Sequence, residues 1–251
     1  MANNKEISIV LPVYNESETL IRNVESISSI FEKINVDYEI ICVDDCSVNN
    51  TWSLLVEYAK KNNTLKILQN KKNLGKGRTV QNGVLNAIGE YVIFTDADMA
   101  YDGDSLLAVY NKLKNEDVPF VSANRRDQKT KFLIDHEMFK YVYRRHQLSG
   151  LFNNLVRFMF DLKSYDTQSG LKGFHLTSAK KIFSNLTVYD FAFDVEIFIL
   201  AKLFSIESAS IPCVVHYPHE PSTVRIVGDS ISMLLTLIKL KIKYFNLSEK
   251  L

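Results

Sequence analysis

The sequence predicts an α/β domain built on a mostly parallel sheet flanked by helices. Three observations carry that reading. Short β-rich runs alternate with helix-like runs through the first half of the chain. Turn residues separate the runs, and strands spaced by helices in this rhythm form βαβ units. Polar clusters stand where the strand-like runs end, at Asn15-Glu16, Asp44-Asp45 and Asp96-Ala97-Asp98. In parallel sheets, ligands sit beyond the carboxyl ends of the strands, so the three clusters are expected to converge on one crevice.

The elements follow in order. Ile7 to Val13 is a strand punctuated by Pro12, and Ser17 and Glu18 are placed to cap a helix running to about Phe31. Tyr38 to Val43 is a second strand, closed by Asp44-Asp45. Thr51 is placed to cap a helix reaching about Lys61. Leu65 to Gln69 reads as strand, Lys76 to Ala87 as helix, Tyr91 to Thr95 as strand, Asp104 to Lys114 as helix and Phe120 to Ala123 as strand.

The second half has a different texture. Phe132 to Phe160 mixes aromatic and aliphatic residues with Lys140, Arg144, Arg145 and Arg157, and predicts one or two helices broken near Ser149-Gly150. Tyr165 to Gly170 carries turn chemistry. Lys172 to His175 is a candidate strand, Phe193 to Phe204 a helix, Ile206 to His216 an extended segment, and a helix runs from about Val224 to Leu247. No repeat or linker divides the chain, so residues 1–251 are expected to form one domain.

Composition narrows the classes. A chain of 251 residues is ample for one α/β domain with a large core. Thirty basic residues against 29 acidic ones leave a net charge of +1, so no global field recruits nucleic acid. The aromatic residues read as core and not as a base-stacking platform. Cys42, Cys46 and Cys213 are odd in number and match no zinc spacing, which suits a reducing compartment. The five histidines have no ligand spacing. The N-terminus lacks signal-peptide architecture, and no run of about 18 apolar residues predicts a membrane-crossing helix.

The candidate chemistry lies in the polar clusters. Asp96 and Asp98 follow an apolar run, and alternation along an extended chain puts both carboxylates on one side. Two such carboxylates suit a hard divalent ion whose other positions take water and phosphate oxygens. A carboxylate at Asp44 suits hydrogen bonds to a base or ribose, and equally an Asx turn or helix cap. Asn73-Leu74-Gly75-Lys76-Gly77 opens a helix; it reads either as an ordinary turn or as a phosphate-binding helix start, with Lys76 adding a charge.

Four motifs taken together, Ile9 to Glu16, Val43 to Ser47, Asn73 to Gly77 and Thr95 to Asp98, resemble family 2 inverting glycosyltransferases of the GT-A (Rossmann-like) fold. Asp166 to Phe174 and Phe191 to Glu196 resemble the polyprenyl-phosphate branch of that family, which includes dolichyl-phosphate glucosyl- and mannosyltransferases. The resemblance implies a nucleotide-sugar-binding half at residues 1–123 and an acceptor-binding half at 124–251. It places Pro12, Tyr14, Glu16 and Asp44 around the nucleoside; Lys76, by its own place at the helix start, is the candidate for binding the nucleotide-sugar's phosphates. Asp96 and Asp98 would bind the diphosphate through Mg²⁺ or Mn²⁺. Arg125, Arg144 and Arg225 would serve the acceptor phosphate, with Arg126 or Arg145 as alternatives. Asp166 would stand at the reaction centre, as base or as organiser of acceptor and metal; a turn cap with Thr167 and Ser169 is its structural alternative.

The implied reaction moves a hexose, glucose before mannose, from a UDP- or GDP-sugar to a polyprenyl phosphate. A saccharide hydroxyl acceptor, or a non-catalytic nucleotide-sugar scaffold, are the competing readings. Leu234, Leu235, Ile238 and Ile242 share a helical face with Ile231 and Phe245, flanked by Lys239 and Lys243. That face suits either the core or a bilayer interface. The expected location is cytoplasmic, peripheral at the inner face of a membrane.

Overall fold

The computed structural model describes residues 5–16, 19–190, 192–217 and 226–248. Its centre is a seven-stranded sheet in the order β3-β2-β1-β4-β7-β5-β8. The strands are β1 (Ile7–Val13), β2 (Tyr38–Asp44), β3 (Leu65–Gln69), β4 (Tyr91–Phe94), β5 (Phe120–Ala123), β7 (Lys172–His175) and β8 (Ala209–Ile211). β7 runs antiparallel to both neighbours, and the other pairings are parallel. A separate parallel pair joins β6 (Lys131–Leu133) to β9 (Val214–His216).

Helices cover both faces: α1 (Leu20–Lys33), α2 (Thr51–Ala59), α3 (Lys76–Leu85), α4 (Gly103–Glu116), α5 (Phe139–Phe160), α6 (Leu176–Ser184), α7 (Phe193–Leu203) and α8 (Ile226–Ser248). Because β1 and β2 lie under helices on both sides, they read as near-continuous apolar runs. α1 buries Leu20, Val24, Ile27 and Phe31, one stripe at helical spacing, against one face. Val80, Val84, Phe183, Phe193 and Ile197 from α3, α6 and α7 fill the other. Each such fully buried side chain contributes about 1.5–3 kcal/mol of transfer free energy.

Register sets the position of the functional residues. Val13 pairs with Asp44, and Val10 with Phe94, so the polar ends of β1, β2 and β4 emerge at one edge of the sheet.

Several expectations change. Ser17 and Glu18 lie outside the described residues, and Thr19 precedes α1. Thr51 is the first residue of α2 and not its cap; Asn49 Oδ1 accepts its N–H at 3.1 Å. α4 starts one residue earlier than expected because Asp102 caps it, accepting from Ser105 N at 2.9 Å.

The segment expected to be wholly helical from Phe132 begins as β6 and a 3-10 turn at His136–Met138. α5 then passes unbroken through Ser149-Gly150. Gly150 there serves packing: a Cβ on it would stand 3.0 Å from Arg126 Nη1. The extended Ile206 to His216 segment splits at Pro212-Cys213, sending β8 to the main sheet and β9 to β6. α6 was not anticipated.

α8 decides the ambiguity of the C-terminal apolar stripe. It buries Met233, Leu237, Leu240 and Tyr244 against the domain, while Leu234, Leu235, Ile238 and Ile242 face solvent. Lys243 does not flank the exposed face, since it turns inward to Glu196 at 3.1 Å. The side chains of Ile231 and Phe245 lie outside the described ones.

Candidate active site

The crevice is assembled from strand ends and loops. At the end of β1, Tyr14 is exposed and Asn15 takes a positive φ of 58°. Asn15 donates its backbone N–H to Ser47 Oγ at 2.8 Å and accepts from Val48 N at 3.0 Å. Pro12 pairs with Val43 within the sheet, and Glu16 lies half-buried just beyond the strand. Asp44, fully buried, accepts from Ser47 N, Ser47 Oγ and Gln69 Nε2, so an Asx-type turn forms around it.

Asp45 has a part that motif reading missed. Its carboxylate accepts the N–H groups of Leu74 and Gly75, each at 2.9 Å, and Asn70 Nδ2 at 2.8 Å. It therefore holds the glycine turn against the end of β2. Gly75 adopts φ 87°, which favours glycine, and α3 begins at the next residue. Lys76 reaches across to Asp96, Nζ to Oδ1 2.5 Å. Burial by itself would lower the Lys76 pKa, but Asp96, Asp194 and Asp98 outweigh it and hold the ammonium above its usual range.

β4 ends at Phe94, and Asp96 to Met99 form a turn closed by Met99 N to Asp96 O at 3.2 Å. Met99 has φ 54°. Turn geometry, and not strand alternation, thus brings the two acids together. Partial loss of hydration and the charge of Asp96 push the Asp98 carboxyl above the usual range. The pair suits a divalent ion: it supplies two carboxylates with hard oxygen donors and leaves coordination positions for phosphate and water. Among the described residues no cluster of three or more His, Cys, Asp or Glu could hold a metal by itself.

Against these acids lies the Asp166–Gly170 loop. Gly170 packs so tightly that a Cβ would stand 2.3 Å from Asp96 Oδ2. Tyr101 Oη pins the loop, accepting from Gly170 N at 3.0 Å and pairing with Ser169 Oγ at 3.0 Å. Asp166 is buried, and Arg125 grips it three times: backbone N at 2.9 Å, Nε at 2.8 Å and Nη2 at 2.8 Å. Burial would raise the Asp166 pKa, but the guanidinium outweighs it and holds the carboxyl below its usual range. Thr167 and Ser169 do not form a cap with Asp166; they bond to Asn153 and Tyr101 instead.

Beneath the site, Lys172 is fully buried, with Nζ 2.6 Å from Asp194 Oδ1 and 2.5 Å from Ser169 O. Both residues stood in recognised motifs without an assigned role. Of the other expected phosphate-binding arginines, Arg144 is exposed on α5 and Arg225 lies outside the described residues. Arg126 is the second cation beside Arg125, donating from Nη2 to His146 O at 3.0 Å.

The sequence profile of glycosyl transferase family 2 matches residues 8–183, the stretch that carries Asp44, Asp45, Asp96, Asp98 and Asp166. The chain belongs to glycosyl transferase family 2. Relatives include a dolichyl-phosphate beta-glucosyltransferase of Saccharomyces cerevisiae, 32% identical over 256 residues, with 95% of this chain and 75% of the relative covered. The enzyme of the same name from Dictyostelium discoideum is 30% identical over 253 residues, covering 96% and 75%. Among solved structures, mannosyl-3-phosphoglycerate synthase from Rubrobacter xylanophilus superposes with a TM-score of 0.68 at 17% identity, covering 98% of this chain and 76% of that one. Glucosyl-3-phosphoglycerate synthase from Mycobacterium tuberculosis, solved with Mn²⁺, UDP-glucose and phosphoglyceric acid, gives 0.64 at 17% identity, covering 94% and 80%. These structures share the GT-A arrangement. This family 2 glycosyltransferase thus combines the family's sequence motifs with a crevice in which they meet.

Proposed function

We propose that this family 2 glycosyltransferase transfers glucose from a nucleoside diphosphate sugar, UDP-glucose before a GDP-sugar, to a polyprenyl phosphate at a membrane surface, with inversion at the anomeric carbon. The observation that carries the acceptor is the state of Asp166. Both its oxygens are engaged by Arg125, and its proton affinity is depressed. A carboxylate so held is a poor general base. An acceptor that arrives already ionised needs none; it needs charge neutralisation and alignment, for which Arg126 supplies the charge and Arg125, already paired with Asp166, a fixed guanidinium.

In the reaction, a phosphate oxygen of the acceptor attacks the anomeric carbon. The bond from that carbon to the donor's diphosphate oxygen breaks, and nucleoside diphosphate leaves. Asp44, Pro12, Tyr14 and Glu16 frame the nucleoside, and Lys76 neutralises the diphosphate beside the glycine turn. Mg²⁺ or Mn²⁺ held by Asp96 and Asp98 would supply further charge neutralisation at that diphosphate. Asp166 keeps Arg125 extended toward the acceptor.

The surface supports a lipid-borne acceptor. Leu151, Leu155 and Phe158 of α5 and Leu234, Leu235, Ile238 and Ile242 of α8 are exposed, Phe158 to 87%. Exposed Lys239 lies among the α8 residues, as in helices that rest in an anionic bilayer interface. Among the described residues no helix is long and apolar enough to cross a membrane.

The test is a product assay with Mg²⁺ or Mn²⁺, supplying UDP-glucose, UDP-N-acetylglucosamine or GDP-mannose to polyprenyl phosphate or to free saccharides. Glucosyl-linked lipid from UDP-glucose is the expected product. A saccharide product with no lipid product would replace the acceptor, and no transfer from any donor would favour a binding scaffold.

A further inference from the structure

The buried carboxylate of Glu196 lies outside the crevice, and nothing in the reaction above uses it. Glu196 sits on α7 with no solvent exposure. Its carboxylate collects five donors: Thr187 N at 2.8 Å, Thr187 Oγ1 at 2.7 Å, Val188 N at 2.7 Å, Tyr244 Oη at 2.6 Å and Lys243 Nζ at 3.1 Å. Two of those donors come from α8, and three from the strap that joins α6 to α7. At the far end of the strap, Asp190 Oδ2 accepts from Thr236 Oγ1 of α8 at 3.1 Å. The strap from Thr187 to Asp190 is therefore held to α8 at both ends.

The middle of that strap presses on the glycine turn. Tyr189 O accepts from Gly77 N at 3.0 Å. A Cβ on Gly75 would stand 2.8 Å from Tyr189 O, and one on Gly77 would stand 2.9 Å from Tyr189 Cα. Arg78 lies over the Tyr189 ring, Cζ to centroid 5.2 Å. The backbone of Tyr189 thus forms a wall against which the first turn of α3 is seated, while Asp45 holds Leu74 and Gly75 just before it.

We propose that Glu196 is a positioning residue for the donor diphosphate: by tying the Thr187–Asp190 strap to α8, it sets where the Gly75–Gly77 turn and Lys76 stand. This rests on the reading of that turn as the diphosphate seat. Glu196 touches no substrate and acts through Tyr189. Its effect falls on the phosphates and leaves the nucleoside end of the site, at Asp44 and Tyr14, as it is. The arrangement also makes α8, the helix with the exposed apolar face, a structural support of the donor site.

The test compares a nucleoside diphosphate with its nucleoside. Binding of UDP and uridine, and in parallel GDP and guanosine, is measured by calorimetry with Mg²⁺ present, on the wild type, Glu196→Gln and the milder Tyr244→Phe. Near-ultraviolet circular dichroism and melting curves report whether each variant keeps its fold. The expected result is a roughly three- to tenfold weaker affinity for the diphosphate, with nucleoside affinity unchanged. Tyr244→Phe, which removes one hydroxyl from an intact helix, is expected to show the same selectivity to a smaller degree. Parallel weakening of both ligands in folded Tyr244→Phe, or no change in either, overturns the role of Glu196. A wild type that favours neither diphosphate over its nucleoside overturns the diphosphate seat itself, and Glu196's role with it.

Discussion

Arg125 and Asp166 form a two-pronged ion pair at the floor of the crevice, Nε to Oδ2 and Nη2 to Oδ1 each at 2.8 Å, with the backbone N–H of Arg125 adding a third bond. Two parallel charge-assisted bonds fix the plane of the guanidinium as well as its position. Removing one partner of a buried pair leaves the other charge uncompensated, at a cost of about 3–5 kcal/mol.

Asp166→Asn keeps the shape and removes the charge. Its expected effect on lipid-phosphate glucosylation is a fall in kcat/KM of about a hundredfold, or roughly 2.7 kcal/mol of transition-state stabilisation. Donor binding should change little. Steady-state kinetics with each substrate varied in turn separates the two effects.

The same pair predicts a pH signature. Asp166 has a folded-state pKa below its unfolded value, so its contribution to stability is present above the unfolded carboxylate pKa, about 3.9, and is lost as pH falls through the lower folded value. Denaturant midpoints measured from pH 6 downward should fall less steeply for Asp166→Asn than for the wild type at the acid end. Identical slopes would show that the pair is not formed in solution.

Asp98→Asn removes a charge from the Asp96–Met99 turn. The expected outcome is loss of Mn²⁺ binding in the presence of UDP, read by the electron-spin resonance of free Mn²⁺, and a drop in turnover of about a hundredfold or more. Retained activity and retained Mn²⁺ binding would together sink the metal role of this acid.

Gly170→Ala tests the contact between the two halves of the site. The new Cβ would stand 2.3 Å from Asp96 Oδ2, so either the carboxylate or the loop must shift. Overpacking of this kind costs typically about 1–3 kcal/mol. The variant is expected to fold, melt a few degrees earlier and require a higher Mn²⁺ concentration for half-maximal rate.

On the surface, the triple variant Phe158→Ser, Leu235→Ser, Ile238→Ser removes exposed apolar side chains from α5 and α8. Exposed substitutions of this kind usually alter stability by no more than about 0.5 kcal/mol each. Sedimentation with anionic vesicles should fall sharply while the melting temperature holds. Undiminished vesicle binding would count against these side chains as a membrane-contacting surface.

Much of this protein was determined by its sequence alone. β3 and β5 lie where periodicity and turn residues placed them, because strand length and helix spacing are local properties. The motifs at Asn15, Asp44, Gly75 and Asp96 also lie at strand or helix ends, as local signals imply. Only the tertiary structure decided the pairings. Arg125 and Asp166 are 41 residues apart, and Glu196 and Tyr244 are 48 apart. No local rule couples such positions; the sheet order, with β7 inserted between β4 and β5, brings the Asp166 loop to Asp96. The tertiary structure likewise settled the two faces of α8. Both carry apolar residues, so hydropathy does not separate them, and burial of Met233, Leu237, Leu240 and Tyr244 leaves the other face outward. The Asp96–Asp98 pair lies between these cases. Its place after a strand was legible, but a turn with positive φ at Met99 shapes it, and Gly170 from the other half of the chain closes against it.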